Sequence, residues 1–351
     1  MPHVGHRVGI LSVLAAVLGA VGVLVAVPAS ALGVKINVPA NRSTIQAGID
    51  AASDGDTVIV AGGEYFEHID FKGKAITVRG ASDWRPFING GGTGPVVVFW
   101  SGEGRDSVLS GFVITNGFPP PGAGISAGAG IAIKDASPTI TRNVVTGNNA
   151  GDYAGSGIGA VGGAALIHDN EFSQNVASGL GVGGGALVQG AIEFVSNWVV
   201  DNSAGAAGGV LVGGGPVVLR HNAVMRNRAT TQGGGGLSIS GTGGRYVNNF
   251  IEDNTAHTRG GGVYLASGSG AYFVSNTLLG NHATAGTGFR IEAGGTTLTN
   301  NLITGPVGPS VISGASPTPP TFSHNDVYNA GPSPYDGCAP AYPAAGSARS
   351  S

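Results

Sequence analysis

From Gly130 onward, apolar and polar positions alternate in short runs that recur at a long, steady interval. A glycine closes a Gly-rich turn at positions 130, 157, 185, 209, 236, 262 and 288. It is followed by Ile131, Ile158, Ala186, Val210, Leu237, Val263 or Phe289, and two residues later by Ile133, Ala160, Val188, Val212, Ile239, Leu265 or Ile291. Period two over such a run predicts a strand with one buried face. A second run turns Ile140, Ile167, Phe194, Leu219, Tyr246, Phe273 and Leu298 inward, and a third does the same with Val145, Phe172, Val199, Val224, Ile251, Leu278 and Ile303. Three short strands thus recur in every coil of about 25 residues.

Between and after the last two strands stands the skeleton Φ-x-x-N-x-Φ-x-x-N-x-A, clearest in Tyr246–Ala256. Its first asparagine recurs at Asn143, Asn170, Asn197, Asn222, Asn249, Asn276 and Asn301, with a partial copy at Asn325. Asparagine tolerates the backbone angles of a bend and bonds locally there. Stacked at one bend, each amide could also donate to the amide oxygen of the next coil, which predicts an asparagine ladder. Ala150, Ala177, Ala204, Ala229, Ala256 and Ala283 are expected to share a narrow corner. Together these features predict an all-β, single-stranded parallel β-helix over residues 32–330, a solenoid whose coils lie about 4.8 Å apart.

The N-terminal half is less regular. Leu32–Pro39 reads as a lead-in, and Thr44–Ala52 puts Ile45, Ile49 and Ala52 on one helical face. A lone helix this short is marginal in water, so its expected role is to cap the open end of the stack. Pro306, Pro309, Pro317, Pro319 and Pro320 break the pattern, Phe322–Tyr328 restores one coil fragment, and residues 331–351 are expected to be a disordered tail.

Composition narrows the function. A formal net charge of -3 gives no footprint for nucleic acid. Val8–Val27 is an unbroken apolar or small stretch after Arg7, and Ala29-x-Ala31 follows as a small-residue cleavage pattern. Residues 1–31 therefore read as a secretory signal peptide, with Leu32 the mature N-terminus and a secreted or cell-surface destination. The alternative is an uncleaved anchor, since about 20 apolar residues span a bilayer. After cleavage no stable membrane span is expected. A single cysteine, Cys338, allows no internal disulfide. No oligomeric state follows from the sequence.

The stretch Ser43–Gly80, the Asn89–Gly92 turn, Gly111–Asn116 and the later asparagine coils resemble the pectin-lyase-like superfamily of secreted right-handed parallel β-helix repeat proteins. The resemblance covers about residues 36–330 and departs at Gly62-Gly63-Glu64-Tyr65, where the family usually has Pro-Gly-x-Tyr. It implies right-handed coiling, in keeping with the general crossover rule. It implies a ligand along the strand after the Gly-rich turn. The fold itself hosts lyases, hydrolases, esterases and proteins without activity.

The outward rows of that strand read Ala132, Gly159, Leu187, Leu211, Ser238, Tyr264, Arg290 and Lys134, Val161, Gln189, Gly213, Ser240, Ala266, Glu292. Paired carboxylates for glycoside hydrolysis are missing from them, as is the carboxylate set that calcium-assisted proton abstraction needs. Tyr264, Arg290 and Glu292 are the substrate-binding candidates there, with Trp100 further back. The candidate catalytic group is Asp201, Arg226 and Asp253, which stacking places in one row; the competing reading is a cross-coil ion-pair ladder. Trp84, Trp100, Phe118 and Tyr153 could stack on sugar rings or close the broad end of the core. Asp54-Gly55-Asp56 has too few ligands for a metal, and the histidines lack metal spacing. The expectation is a protein that binds polysaccharide or a cell-surface glycan without acid–base catalysis and without a cofactor. The alternatives are a lyase or hydrolase on an acidic glycan, with calcium only for a lyase, and a structural or adhesive module.

Overall fold

A computed structural model describes residues 33–81, 84–119, 128–241, 243–266, 270–306, 308–314, 318–329 and 335–337. The chain divides into two units, Met1–Ala31 and Leu32–Ser351. The first lies wholly outside the described residues, and with it the expected signal segment; so does most of 331–351.

The second unit is a parallel β-solenoid. Its strands fall into three long sheets of 12, 11 and 11 strands and a short one of 3, every pairing parallel. In one regular coil, Ile131–Lys134 lies in the sheet that follows the glycine turn, Thr139–Thr141 in the sheet before the first asparagine, and Val144–Thr146 in the sheet between the two asparagines. The register is the one the apolar period predicts. Ile131 pairs with Ile158, Ile158 with Ala186, and Val263 with Phe289; Ile140 pairs with Ile167 and Val145 with Phe172. Like side chains stack on like, and the inward rows form one continuous core from Val38 to Val327. Aromatic rings stack where they meet, as Tyr246 on Phe273 with centroids 4.5 Å apart and planes 11° apart. Each fully buried aliphatic or Phe side chain is worth about 1.5–3 kcal/mol relative to exposure.

The N-terminal helix is Ile45–Ala51, with Thr44 as N-cap: its side chain accepts from the Ala47 amide at 3.1 Å. Ile45, Gly48 and Ile49 are buried against Lys35–Val38, Thr57–Val60 and Ile69–Asp70. The expected lead-in is itself a strand, Lys35–Val38, paired with Thr57–Val60. At the other end the proline-rich stretch still contributes Val311–Ser313 to the sheet after the glycine turn, and Tyr335–Asp336 pairs with it in turn. That last strand lies inside the stretch expected to lack one; Phe322 and Tyr335 hold it edge-to-face at 5.7 Å.

The asparagine ladder forms, and it is double. The first runs from Asn143 through Asn301 to Asn325, the second through Asn148, Asn175, Asn202, Asn227, Asn254 and Asn281. In each step one Oδ1 accepts both the backbone N–H and the Nδ2–H of the preceding asparagine. For Asn197 and Asn170 these are 3.0 and 3.1 Å. The Nδ2 also donates to a backbone carbonyl of the preceding coil, as Asn197 to Ile167 at 2.9 Å. Each amide between the ends of a ladder therefore ties three coils together, and these hydrogen bonds offset the cost of burying it.

The bend itself is not made by the asparagine. The residue before it takes the left-handed conformation: Asp169 (φ 56), Ser196 (φ 53), His221 (φ 58), Asn248 (φ 53) and Ser275 (φ 55) before the first ladder, and Gln174 (φ 55), Asp201 (φ 57), Arg226 (φ 53) and Asp253 (φ 51) before the second. The side chain at this position points out of the solenoid, and the turn places the following asparagine inward.

Candidate functional site

The sheet after the glycine turn is the expected ligand platform, and the first of its two outward rows is largely covered by the chain itself, while the second, with Lys134, Gln189 and Ser240, is open. Ala132, Leu187 and Ser238 are buried although they point outward. The cause is the Gly-rich turn, which lies flat on the strand it precedes. A Cβ on Gly155 (φ +73) would stand 2.9 Å from the Gly159 Cα, and one on Gly260 (φ +64) would stand 2.8 Å from the Tyr264 Cα. Only a residue without a side chain fits so close an approach. The face opens toward the C-terminal coils, where Tyr264 and Arg290 are partly exposed.

There the structure brings Tyr264, Arg290 and Glu292 together and adds Arg259, which lies in the turn and carries no periodic signal. The Tyr264 hydroxyl donates to Glu292 Oε2 at 2.7 Å. Arg259 Nη1 donates to Glu292 Oε1 at 2.7 Å, and Arg290 Nη2 reaches the same oxygen at 3.1 Å. The Arg259 guanidinium also sits 5.7 Å from the centroid of the Tyr264 ring, within cation–π range. The Glu292 side chain is 25% exposed. Burial works against its ionised form, but the Tyr264 and Arg290 hydrogen bonds and the two cations outweigh it and hold the carboxyl below the usual range. Burial, followed by the hydrogen bond to Glu292, pushes the Tyr264 phenol up. Two guanidiniums against one carboxylate leave one positive charge. A hollow of about 380 Å³ opens beside them, lined by His257, Thr258, Arg259, Thr284, Ala285 and Arg290.

Asp201, Arg226 and Asp253 do share a row, as stacking requires. Arg226 makes a two-pronged bond to Asp201, Nε–Oδ1 2.9 Å and Nη2–Oδ2 3.0 Å. The hydrogen bond to Asp201 raises the Arg226 pKa further, with smaller contributions from the charges of Asp253 and Glu252. Both members of the pair are about half exposed. This is the geometry of a surface ion pair, which contributes at most about 1 kcal/mol.

Trp100 stands apart from Tyr264: its strand, Val97–Phe99, is six steps back in the same sheet. Its Nε1 donates to Asp70 Oδ2 at 3.2 Å, and it is 56% exposed. The expectation that the aromatics of the irregular coils close the core fails for Trp84, Trp100 and Phe118, whereas Tyr153 is partly buried against Ala129, Ala150, Ala177 and Ala204. Trp84 is 81% exposed and Phe118 is also exposed, because they sit in loops outside the inward alternation; the helix residues Ile45 and Ile49 close that end. Among the described residues no three His, Cys, Asp or Glu side chains converge as a metal site, and no helix is long and apolar enough to cross a membrane.

No curated protein matches the sequence. A family model for the right-handed β-helix region matches residues 98–247 and again 207–340, a fold that fits the pectin-lyase-like superfamily. The two matches together cover more than half of the 351 residues and coincide with the stacked coils, and the chain belongs to the right-handed β-helix family.

Proposed function

We propose that this β-helix binds an acidic polysaccharide or cell-surface glycan, outside the cytoplasm, without turning it over. The observation that carries the reading is the hollow beside Arg259 and Arg290. Two guanidiniums, the Thr258 hydroxyl and His257 line it, with the Thr284 hydroxyl donating to the His257 carbonyl at 3.0 Å and left as an acceptor, a polar set suited to the carboxylates and hydroxyls of a uronate polymer. The one carboxylate at hand, Glu292, is held by three donors. A general acid or base must reach the proton it moves, and retaining or inverting hydrolysis asks for a second placed carboxylate. No carboxylate is among the residues lining the hollow, and Glu292 beside it is engaged by its three donors.

The test is a screen of purified protein on polygalacturonate and neutral polysaccharides, with calcium or chelator. It follows retention, new reducing ends and the ultraviolet absorbance of unsaturated uronates together. The expected result is retention by polygalacturonate, weakened at least tenfold in the R259A/R290A double variant and by added salt, with neither product signal. Reducing ends with the absorbance would establish a lyase, and reducing ends alone a hydrolase; either would overturn the reading.

A further inference from the structure

The sheet between the two asparagines carries aromatic rings on its outer face at spacings the core does not require. Phe87, Trp198 and Phe250 occupy one outward row, joined in register through Val113, Val144, Glu171 and Ala223. Phe87 and Trp198 are four coils apart, and Trp198 and Phe250 two. At about 4.8 Å per coil the rings stand roughly 19 and 10 Å apart along the solenoid axis. Trp198 is 58% exposed and Phe87 45%. Inward neighbours such as Ile88, Val199 and Ile251 already fill the core beneath them, so the outer rings add nothing to it.

Both separations are even numbers of coils. One pyranose of an extended β-1,4-linked chain is about as long as one coil spacing, roughly 5 Å. In such a chain each ring is turned over relative to the next, so like faces recur on alternate rings. Aromatic side chains at even spacings would meet like sugar faces each time, stacking their apolar C–H surface. Between Phe87 and Phe250 the row has one charge, Glu171, and no cation, which disfavours a polyanion and suits an uncharged polymer. At its N-terminal end the row meets a hollow of about 730 Å³ where Trp84 and Phe87 stand with Glu64 and Arg85. The Asn89 amide holds the Glu64 carboxylate at 2.6 Å, as an oriented acceptor for hydroxyls.

We infer that this face is a second glycan-binding surface, for a neutral, unbranched β-1,4-linked polymer lying along the solenoid axis. It rests on the reading that the protein binds glycans, but it uses a different sheet and a ligand of different charge from the Arg259–Arg290 hollow.

The full chain is tested by affinity electrophoresis through hydroxyethylcellulose, with pullulan and polygalacturonate in parallel, and by calorimetry with cellohexaose. Hydroxyethylcellulose should retard it and pullulan should not. W198A and F250A should each weaken cellohexaose about tenfold with the β-rich circular dichroism unchanged. W198A/A223W keeps the ring count but shifts one ring by a coil, and should bind no better than W198A. Wild-type affinity in that shifted variant would overturn the spacing argument. Retention by polygalacturonate without retention by hydroxyethylcellulose would overturn this surface and leave the basic hollow standing; loss of both in folded protein would remove glycan binding altogether. A concentration-dependent dimer abolished by W198A, with no retention, would assign the face to a second copy of the chain and overturn the inference.

Discussion

Replacing Asn249 by Leu tests the ladder most directly, because the two side chains have similar size and only the polar atoms are lost. In the native coil Asn249 Oδ1 accepts the Asn222 backbone N–H at 3.1 Å and the Asn222 Nδ2–H at 2.9 Å. Its Nδ2 donates to the Leu219 carbonyl at 3.0 Å and to Asn276 Oδ1 at 2.9 Å. The Asn276 oxygen keeps a donor in the variant, since the backbone N–H of residue 249 still reaches it at 3.0 Å. Two donors of Asn222 are left unpaired in the interior, at about 1–3 kcal/mol each. The new leucine returns about 1.5–2 kcal/mol through apolar burial. The net cost is about 2 kcal/mol, concentrated between the coils of Asn222 and Asn276. Gln189→Leu, at the exposed end of Ala186–Gln189, should stay within about 0.5 kcal/mol. Native-state hydrogen exchange read by mass spectrometry is the suitable assay, because stability in a stacked solenoid is local. The amide of Asn222 should exchange about thirtyfold faster in the Leu variant, with coils near Ile140 little changed. Equal effects of the two substitutions, or a loss of protection spread evenly along the chain, would refute the argument.

Tyr246→Phe should raise stability by about 1–2 kcal/mol in thermal or denaturant melts, because the fully buried Tyr246 hydroxyl has no hydrogen-bond partner among the described residues. Burial also raises the Tyr246 pKa, so the wild type should lose stability as pH climbs above the ordinary tyrosine value of about 10, and the Phe variant should lose less. Glu292 is shifted the other way: its contribution is complete above the ordinary carboxylate range and is lost as pH falls through the lowered folded value. Glu292→Gln should therefore flatten the acid limb of the melting profile. Ser275→Gly should stabilise by up to about 1 kcal/mol, because φ is 55 there, while Ser275→Val should destabilise. Breaking the Asp201–Arg226 pair by D201A should cost no more than about 1 kcal/mol and be hidden by salt.

The coil and its register were legible because a period-two run leaves only one way to bury its apolar side, and seven such runs repeat in step. The asparagines were legible as a ladder for the same reason. Their second row was present in the same skeleton five residues on, and its burial makes it equal to the first. The origin of the bend was not legible: residues as unlike as Asp169, His221, Gln174 and Arg226 take the left-handed angle, so no residue type marks the position. The covering of the outer face by its own glycine turn was hidden too, since alternation says which way a side chain points and not what lies over it. Arg259 escaped because it sits in a turn, where neighbours in space are set by stacking and not by spacing along the chain. Val311–Ser313 escaped because flanking prolines and glycines interrupt the alternation, while the strand needs only three residues.

The two ladders also give the solenoid an electrical direction. Every amide oxygen in them faces the preceding coil and every shared Nδ2–H faces the following one. The side-chain dipoles add head to tail instead of cancelling, and each polarises the next. The acceptor ends are spent on the Phe112 and Gly117 amides, and the donor ends lie toward Asn325 and Asn281. A stack that grows by repetition thus acquires a positive pole at its C-terminal coils, the same end at which Arg259 and Arg290 stand.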